Sequence, residues 1–488
     1  MKVIVLTAAL ALSSHGVMAQ ETEVDALTGA TRQVTKTEEE TNASSRLHIG
    51  GYGEAVMTRN FYSQSFNRYK KPELYTNDAS HGRFDLPHVC LNLGYDFGKG
   101  WTLGTEIELE HGGNGTAVEI EAEEAGEYEA EVEKGGEVNI EQFWINKEFA
   151  GGRFNVKAGE IIVPVGYSNA YHEPNQFFTV YRPEGEATIM PNTWHQVGIS
   201  LWGRLKNWRY EAQLLSGLNS ESFTAEDFVH YGATSPYEFK VANNYAGAAR
   251  IDYYASSENR RAQWLRVGLS GYYGYTFRNT LRTPGEKYDD VTGALGIVAL
   301  DFTLKRWNWI VRGNIDYAHF SDADAISAYN QANWTHHKYQ DGNPHHYSNI
   351  GSNALAYAVE AGYNIVPLIC PQTAKRTNGQ TDKRINGKPC QTVSNRCPKL
   401  YLFGRFEHYN TMASGTYASM YKHTKKYRAV MGLNYQPVPQ ITIKGEYSYR
   451  FFEKPNNNGL NADSPLYKQP YNNEPSVSIG VTYTGWFL

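Results

Sequence analysis

From residue 47 to the end of the chain, apolar and polar side chains alternate in segments of about ten residues separated by turn residues. The stretch "WNWIVRGNIDYAHF" is the clearest case. Trp309, Ile315 and Tyr317 fall on one face of an extended chain, and Arg312 and Asp316 fall on the other. A period of two residues is the pattern of a β-strand with one apolar face. Because arginine and aspartate share a face, that face is predicted to contact water. The strand is therefore predicted to lie between an apolar and an aqueous environment.

We count sixteen such segments. They start near residues 47, 84, 101, 139, 153, 195, 208, 246, 264, 291, 307, 354, 399, 427, 440 and 475. Repeated alternating segments with turns between them are typical of an outer-membrane barrel. A secreted soluble β protein would show the same alternation within each strand. The fold that the pattern predicts is all-β: a transmembrane, antiparallel, up-and-down β-barrel of about 16 strands.

The lengths of the links favour the barrel over the soluble protein. Links after even-numbered segments are short, such as "GKG", "LKN" and "QPVP", whereas links after odd-numbered segments are nearly all long. Outer-membrane barrels have short periplasmic turns and long external loops. The exception is the long link 367–398, which the count places in the periplasm. It is either an inserted periplasmic element or a point where the count slips.

The start of the chain has the composition of a cleavable secretory signal. Lys2 precedes an apolar run from Val3 to Leu12, and Ala19 precedes Gln20. No later stretch approaches the roughly 18 to 20 apolar residues of a spanning helix, so a membrane location requires a barrel. We therefore expect a protein of the outer membrane of a Gram-negative bacterium. Its expected parts are a signal peptide (1–19), a flexible or weakly helical N-terminal segment (20–46) and the barrel (47–488).

The chain has four cysteines, which indicates an oxidising compartment without a disulfide-built fold. Cys370, Cys390 and Cys397 share the link 367–398, and a bridge between Cys390 and Cys397 is expected because few residues separate them. Cys90 falls on the wet face of a strand and is expected to remain a free thiol. None of the four has the spacing of a zinc site, so neither a metal nor a cofactor is expected.

The wet faces would line a lumen, and about sixteen strands are enough for a water-filled channel. Acidic and basic residues on these faces are close to balance, and each one alone is most simply a wall residue paired with a neighbour. The net charge of −5 does not favour a nucleic-acid partner. The expected partners are outer-membrane lipid and small hydrophilic solutes or ions. The wall positions singled out are Glu106, Glu108, Glu110, Arg250, Arg312, Arg405 and Arg428.

The link "VPVGYSNAYHEPNQFFTVYRPEGEATIMPNTWH" is the best candidate for a loop folded into the channel. It combines prolines, aromatic residues and charges, and charged groups at a constriction set ion preference. The alternative is an external cap loop. The candidate constriction residues are His172, Glu173, Arg182, Glu184 and Glu186.

The stretch "AGEIIVPVGYSNAYHEPNQFFTVYRPEG" followed by "HQVGISLWGRL" resembles the porin O and P family, the group named after phosphate-selective porins. The likeness lies in a strand ending in Pro-x-Gly, a loop with Arg182 and a following Gly-rich strand, and it extends loosely over 47–488. The resemblance implies a sixteen-stranded channel, often a homotrimer. Phosphate selectivity needs a cationic ladder with little opposing acid, and Glu106, Glu108 and Glu110 oppose such a ladder here.

An acidic run, "TAVEIEAEEAGEYEAEVEKGGEV", holds nine glutamates between Glu119 and Glu137. Glutamates alternate with apolar residues on either side of "EAG", which predicts a hairpin beyond the membrane; a disordered acidic loop is the alternative. Its acidic face would attract cations to the entrance within about 10 Å at 0.1 M salt. The residues expected on that face are Glu127, Glu129, Glu131 and Glu133.

These patterns predict a porin and not an enzyme. We expect a passive channel for small hydrophilic solutes and ions that is weakly cation-preferring or poorly selective. Selectivity for anions or phosphate is the alternative within the same class. A surface adhesin or structural barrel and an outer-membrane enzyme are alternatives from other classes, although no GxSxG or similar motif stands in a fitting context.

Overall fold

The structure is a computed structural model that describes residues 46–63, 82–113, 116–118, 132–134, 138–234, 239–256, 264–333, 349–369, 398–453 and 473–487. The predictions about the signal peptide, residues 20–45 and the three cysteines of the link 367–398 lie outside these residues. The predictions about Glu127, Glu129 and Glu131 lie outside them as well.

Sixteen long strands and one short segment, Gly82–Asp85, form a single antiparallel sheet. The last strand pairs with the first from Gly50 opposite Trp486 to Asn60 opposite Ser476, which closes the sheet into a barrel. The predicted fold and strand count are confirmed. The strands are β1 (Leu47–Asn60), β2 (His88–Gly98), β3 (Trp101–Glu110), β4 (Val138–Phe149), β5 (Phe154–Ile162), β6 (His195–Leu205), β7 (Trp208–Ser216), β8 (Tyr245–Ser256), β9 (Trp264–Tyr275), β10 (Ala294–Arg306), β11 (Trp309–Phe320), β12 (Asn353–Asn364), β13 (Lys399–Ser414), β14 (Lys425–Val438), β15 (Ile441–Phe452) and β16 (Asn473–Trp486).

Successive side chains of each strand point to opposite faces of the wall, as strand geometry requires. In β11, Ile315 and Tyr317 are each 48% exposed on the outside, while Asp316 between them is fully buried inside. Every one of the sixteen strands carries at least one large exposed apolar side chain. An apolar outside and a polar inside are the arrangement that lipid imposes on a barrel.

The two ends of the barrel differ in the length of their links. At one end, tight turns such as 99–100, 206–207 and 307–308 join the strands, and Lys99, Lys206 and Trp307 have positive φ there, as tight hairpins require. The long link 365–398 lies at this same end, because β12 and β13 pair up to Asn364 and the N–H of Ile365 donates to the carbonyl of Leu400. The strand count therefore does not slip at this link.

The links at the opposite end are long. Residues 163–194, which we call the inner loop, contain α1 (Tyr167–Ala170) and α2 (Glu184–Ile189). Two further helices are α3 (Ala323–Asn333), in a long link, and α4 (Val366–Ile369), at the short-turn end. No helix within the described ranges combines the length and the apolar character needed to cross a membrane.

An apolar cluster fills part of the interior near the long-link end. It joins side chains of the inner loop to side chains of the next long links and of α3, and its central members are at most 1% exposed. Part of the barrel is therefore packed like a protein core. Representative members are Val165, Ile189, Trp194, Leu218, Phe228, Phe277, Phe320 and Ile326.

A short pairing lies beyond β3 and β4. Thr116–Val118 pair antiparallel with Val132–Lys134, and Ala117 stands opposite Glu133. The pairing is centred on residue 125, within the "EAG" at which the sequence predicts a turn. The acidic face itself remains a prediction.

Candidate functional site: the barrel interior

The inner loop lies inside the barrel. Its backbone N–H groups donate hydrogen bonds to carboxylates that project inward from three wall strands, β12, β15 and β13. The loop is therefore not an external cap. These bonds are Phe178 to Glu360 (3.1 Å), Val180 to Glu446 (2.7 Å) and Gly185 to Glu407 (3.0 Å).

Cationic side chains of the wall also hold the loop. The Lys444 amine of β15 donates to the carbonyls of Pro174 at 2.6 Å and Thr179 at 2.8 Å. The Arg250 guanidinium of β8 donates to the carbonyl of Gly166 at 3.1 Å. Gly166 has φ 82°, and a Cβ there would come within 1.9 Å of a Glu186 oxygen, so the Pro-x-Gly motif ends in a residue that only glycine suits.

Glu184 at the start of α2 is held by cations of the wall. The Arg450 guanidinium and the Tyr409 hydroxyl donate to its Oε1, and Arg428 Nε lies 3.3 Å from its Oε2. Burial alone would raise the pKa of Glu184, but Arg450 and Arg428 outweigh burial and lower it to about 2. Glu184 is therefore an anion that anchors α2 to the wall.

Glu186, two residues further along α2, has no such cationic anchor. Its Oε2 accepts hydrogen bonds from the N–H and the hydroxyl of Ser168, at 2.9 and 2.7 Å. Burial raises the pKa of Glu186 to about 7, and burial raises the pKa of Glu173 to about 7 as well. Neither is placed at an open surface, since Glu186 is 1% and Glu173 5% exposed.

His172 and Arg182 are the two basic residues of the inner loop. The Nε2 atom of His172 lies 3.7 Å from Oε1 of Glu106. These two residues, both predicted as site residues, are therefore neighbours in the structure. The Nη1 atom of Arg182 donates to the hydroxyl of Thr193, and the residue as a whole is half-buried. The Glu184 side chain is 20% exposed, whereas Nη2 of Arg182 is buried without a hydrogen-bond partner among the described residues.

Two contrasting walls surround the loop. The first, which we call the arginine wall, runs from β7 to β14, and each of its guanidinium groups lies close to a carboxylate. All of these side chains are at most 8% exposed. Pairs within this wall are Arg209–Glu211 (2.7 Å), Arg250–Asp252 (2.8 Å), Arg250–Asp301 (2.9 Å), Arg266–Asp301 (2.6 Å), Arg312–Glu360 (2.8 Å), Arg405–Glu407 (2.8 Å) and Arg428–Glu446 (3.4 Å).

A glycine allows one of these pairs to form across an intervening strand. Asp252 of β8 stands opposite Gly268 of β9, which stands opposite Asp301 of β10. A Cβ at Gly268 would come within 2.2 Å of the Arg250 guanidinium. The missing side chain at Gly268 therefore lets Arg250 reach Asp301 two strands away.

Rings of the inner loop cover two guanidinium groups of this wall. The Tyr171 ring centre lies 4.0 Å from the Arg266 guanidinium carbon, and the Phe178 ring centre lies 4.8 Å from that of Arg312. Stacking of this kind stabilises a desolvated arginine. The arginines therefore do not form a bare cationic ladder along the lumen.

The second wall, which we call the glutamate wall, comprises Glu54 of β1, Glu106 and Glu108 of β3 and Glu141 of β4. All four are at most 6% exposed. His88 is in hydrogen-bond contact with Glu108, and Gln142 donates to Glu106. The four carboxylates of this wall outnumber the cationic groups that face them among the described residues. Glu110 lies at the end of β3, opposite His88 in the pairing with β2, and is partly exposed.

The structure brings several predicted residues together and separates others. Arg312 and Arg405 share Glu360, with Arg405 at 3.5 Å, and Arg428 meets Glu184. Arg250 instead belongs to the part of the wall that holds the start of the inner loop.

Sequence reasoning missed Glu54, Glu141 and Asp301. The alternation of β1 gave a usable signal for Glu54. Glu141 stands at a β-bulge, because Glu106 pairs with Gln142 and Ile107 pairs with Ile140, so the simple alternation fails there.

Comparisons with known proteins give distant matches. An uncharacterised protein of Aquifex aeolicus is 26% identical over 421 residues, which is 82% of this chain and 75% of the relative. No family model matches the chain. OprB of Pseudomonas putida superposes with a TM-score of 0.49 at 10% identity, covering 91% of this chain and 95% of its own.

Two further solved structures are similar to this chain. The outer-membrane channel DcaP of Acinetobacter baumannii gives a TM-score of 0.46 at 11% identity, over 90% of this chain and 97% of its own. An anion-selective porin from Comamonas acidovorans gives 0.42 at 9%, over 90% and 99%. With scores below 0.5, the function has to be argued from the barrel itself.

Proposed function

We propose that the chain is an outer-membrane porin, a passive channel for small hydrophilic solutes and ions. One observation carries the proposal: the sheet closes completely, with large apolar side chains exposed outside and charged side chains enclosed within. Such a barrel meets lipid on its outer face and offers polar groups to solutes on its inner face. Membership of the porin O and P family and assembly as a homotrimer belong to this proposal and rest only on the resemblance of the loop sequence.

The inner loop is the proposed constriction. It contacts walls on several sides, and its residues Arg182 and Glu184 are half-buried. A fixed cation and a fixed anion on a loop inside the barrel would restrict the size of a solute and orient its dipole. His172, Glu173 and Glu186 lie deeper, and we assign them to holding the loop in place.

The proposed selectivity is weak and leans to cations. The arginines of the arginine wall are close to carboxylates, which cancels the field that an anion would follow. The glutamate wall has acid in excess, and the predicted acidic hairpin (Glu127, Glu129, Glu131 and Glu133) would add negative potential at the entrance. Phosphate selectivity, the alternative, would need unpaired cationic groups along the lumen.

Recordings from the purified protein in planar lipid bilayers test this proposal. Steady conductance steps are expected, and reversal potentials in a salt gradient should lean to cations. Replacing the four hairpin glutamates with glutamine should shift them toward anions. Strong anion selectivity with phosphate blocking chloride current would restore the alternative, and absence of conductance would favour an adhesin, a structural barrel or an enzyme.

Cysteine labelling of intact cells tests location and orientation. Glu286 lies in a long link and Asn207 in a tight turn, and both are exposed. With the native cysteines replaced by serine, Glu286→Cys should react with a membrane-impermeant maleimide and Asn207→Cys should not. The reverse pattern would contradict the orientation, and crosslinking of the same cells would reveal or reject a trimer.

A further inference from the structure

A thiol and two carboxylates come together on the glutamate wall. One donor atom from each of Cys90 (β2), Glu106 (β3) and Glu141 (β4) lies within 4.8 Å of the others. The three side chains are 5%, 3% and 1% exposed. Burying two carboxylates side by side is costly unless a counter-charge or hydrogen bonds stabilise them.

Several polar atoms around this point have no hydrogen-bond partner among the described residues. They include Oε1 of Glu106, Oε2 of Glu141 and Oε2 of Glu54. The hydroxyl of Tyr52 is also unpartnered although the residue is only 3% exposed. Tyr52 stands opposite Cys90 in the pairing of β1 with β2, and its hydroxyl interacts electrostatically with Cys90, Glu106 and Glu141. A cation bound between Glu106 and Glu141 would satisfy these oxygens together.

The cationic side chains nearby do not fill this role. His88 contacts Glu108, and Nε2 of His172 lies 3.7 Å from Glu106. The Arg182 guanidinium interacts electrostatically with Glu108 and Glu141, but its Nη1 donates to Thr193. These groups offset part of the negative charge, Gln142 donates to the other oxygen of Glu106 and Glu141 shares a hydrogen bond with Glu108, so that Oε1 of Glu106 and Oε2 of Glu141 are the atoms left without a donor.

We propose that Cys90, Glu106 and Glu141 bind a divalent cation of the zinc class. A thiolate ligand favours Zn²⁺ or Cd²⁺, whereas Ca²⁺ and Mg²⁺ prefer oxygen ligands alone. Ligand atoms about 2.0 to 2.3 Å from a tetrahedral ion are about 3.3 to 3.8 Å apart, so the three side chains must move closer together by about 1 Å to complete the site. Three protein ligands leave the fourth position of a tetrahedral ion to water.

Binding has a defined proton balance. The Cys90 thiol donates a weak hydrogen bond to Glu108 Oε1 at 3.7 Å. When the metal–sulfur bond forms, the S–H bond breaks, the sulfur keeps the electron pair, and Glu108 is the first acceptor of the proton, which then passes to lumen water. No oxidant or reductant takes part, and about one proton is released per ion bound.

Metal titration of the folded barrel tests the proposal. A chain in which Cys370, Cys390 and Cys397 are replaced by serine retains Cys90 as its one thiol, and the wild-type chain is measured beside it. Equilibrium dialysis in detergent should find one Zn²⁺ per chain, and Cd²⁺ should produce the ultraviolet charge-transfer band of a cadmium–thiolate bond. The readout does not use conductance, so its failure would not count against the channel, and a silent channel would not count against the metal site.

Matched variants distinguish this site from adventitious binding. Glu106→Gln with Glu141→Gln, and separately Cys90→Ser, should weaken Zn²⁺ binding by at least about tenfold, since even second-shell partners contribute that much. Glu110→Gln on the same strand should leave binding unchanged, and heat-modifiable gel mobility verifies folding of each variant. Absence of stoichiometric Zn²⁺, undiminished binding in the double glutamine variant, or equally tight binding of Ca²⁺ would overturn the proposal. If Cys90→Ser does not fold, the double glutamine variant and the cadmium band decide.

Discussion

The arginine wall and the glutamate wall enclose the same interior but treat charge in opposite ways. In the arginine wall, Arg250 lies between Asp252 and Asp301 at 2.8 and 2.9 Å. In the glutamate wall, Glu106 and Glu141 each keep a buried oxygen without a hydrogen-bond donor. Removing one partner of such a buried ion pair is strongly destabilising, because the remaining charge is left uncompensated. The contrast teaches that one wall fixes the inner loop in place while the other retains capacity to attract or bind cations.

The largest effect is expected when a pair in the arginine wall is broken. Arg250→Met leaves buried Asp252 without its closest cation and leaves Asp301 with Arg266 alone, so the free energy of unfolding should fall by about 3 kcal/mol. Urea unfolding followed by tryptophan fluorescence measures this change. Arg59→Met, at an exposed position on β1, is the control and should change stability little. Equal effects of the two substitutions would show that the pairing in the wall is unimportant.

A smaller and pH-dependent effect is expected in the inner loop between the walls. The Glu186 carboxyl has a pKa of about 7 in the folded chain because of burial, against an ordinary value of 4.5. A raised pKa means that the unfolded chain ionises first, so stability is lost as pH rises from about 4.5 to 7. Glu186→Gln should therefore match the wild type at pH 4 and exceed it at pH 8, by roughly 1 to 3 kcal/mol.

Glu184→Gln provides the opposite control. The pKa of Glu184 is about 2, so its ionised form stabilises the fold above about pH 4.5 and that contribution disappears as pH falls toward 2. Glu184→Gln should be destabilised at pH 7 and approach the wild type near pH 2. Thermal unfolding across the pH range measures both variants, and parallel profiles for the two would contradict the distinction between them.

The smallest effect is expected in the glutamate wall. Glu141→Gln removes one of several like charges, so with a chelator present the chain should be unchanged or up to about 1 kcal/mol more stable. The same urea unfolding assay applies. A loss as large as that of Arg250→Met would mean that the two walls do not differ in the way described above.

The fold could be predicted from the sequence in unusual detail because membrane barrels repeat one simple rule. The alternation located all sixteen strands, and in β15 it placed Ile443 outside and Lys444 inside as the structure has them. The parity of link lengths also located the long link 365–398 at the short-turn end. The alternation is local and the link lengths can be counted along the chain, so both signals can be used before any contact between strands is known.

The interior was less predictable because its contacts depend on register and on irregularities. Arg250 reaches Asp301 only because Gly268 lies between them, and no spacing along the chain reveals that crossing. Glu141 points inward because of a bulge, which breaks the period of two that the prediction uses. The packing of the inner loop against Glu360, Glu407 and Glu446 depends on strands far along the chain, so its residues could be proposed but not their partners.

The pairing of β1 with β16 has a consequence for how the molecule assembles. These strands lie at opposite ends of the chain, so the seam joins residues of very large sequence separation, which makes closure entropically costly and slow. Until the seam forms, two strand edges carry unpaired N–H and C=O groups that can pair with another chain. Lys444 and Glu446, which form hydrogen bonds with the inner loop, belong to β15, the strand that pairs with β16 next to that seam. A protecting partner at the open edges would therefore prevent aggregation until the seam has formed.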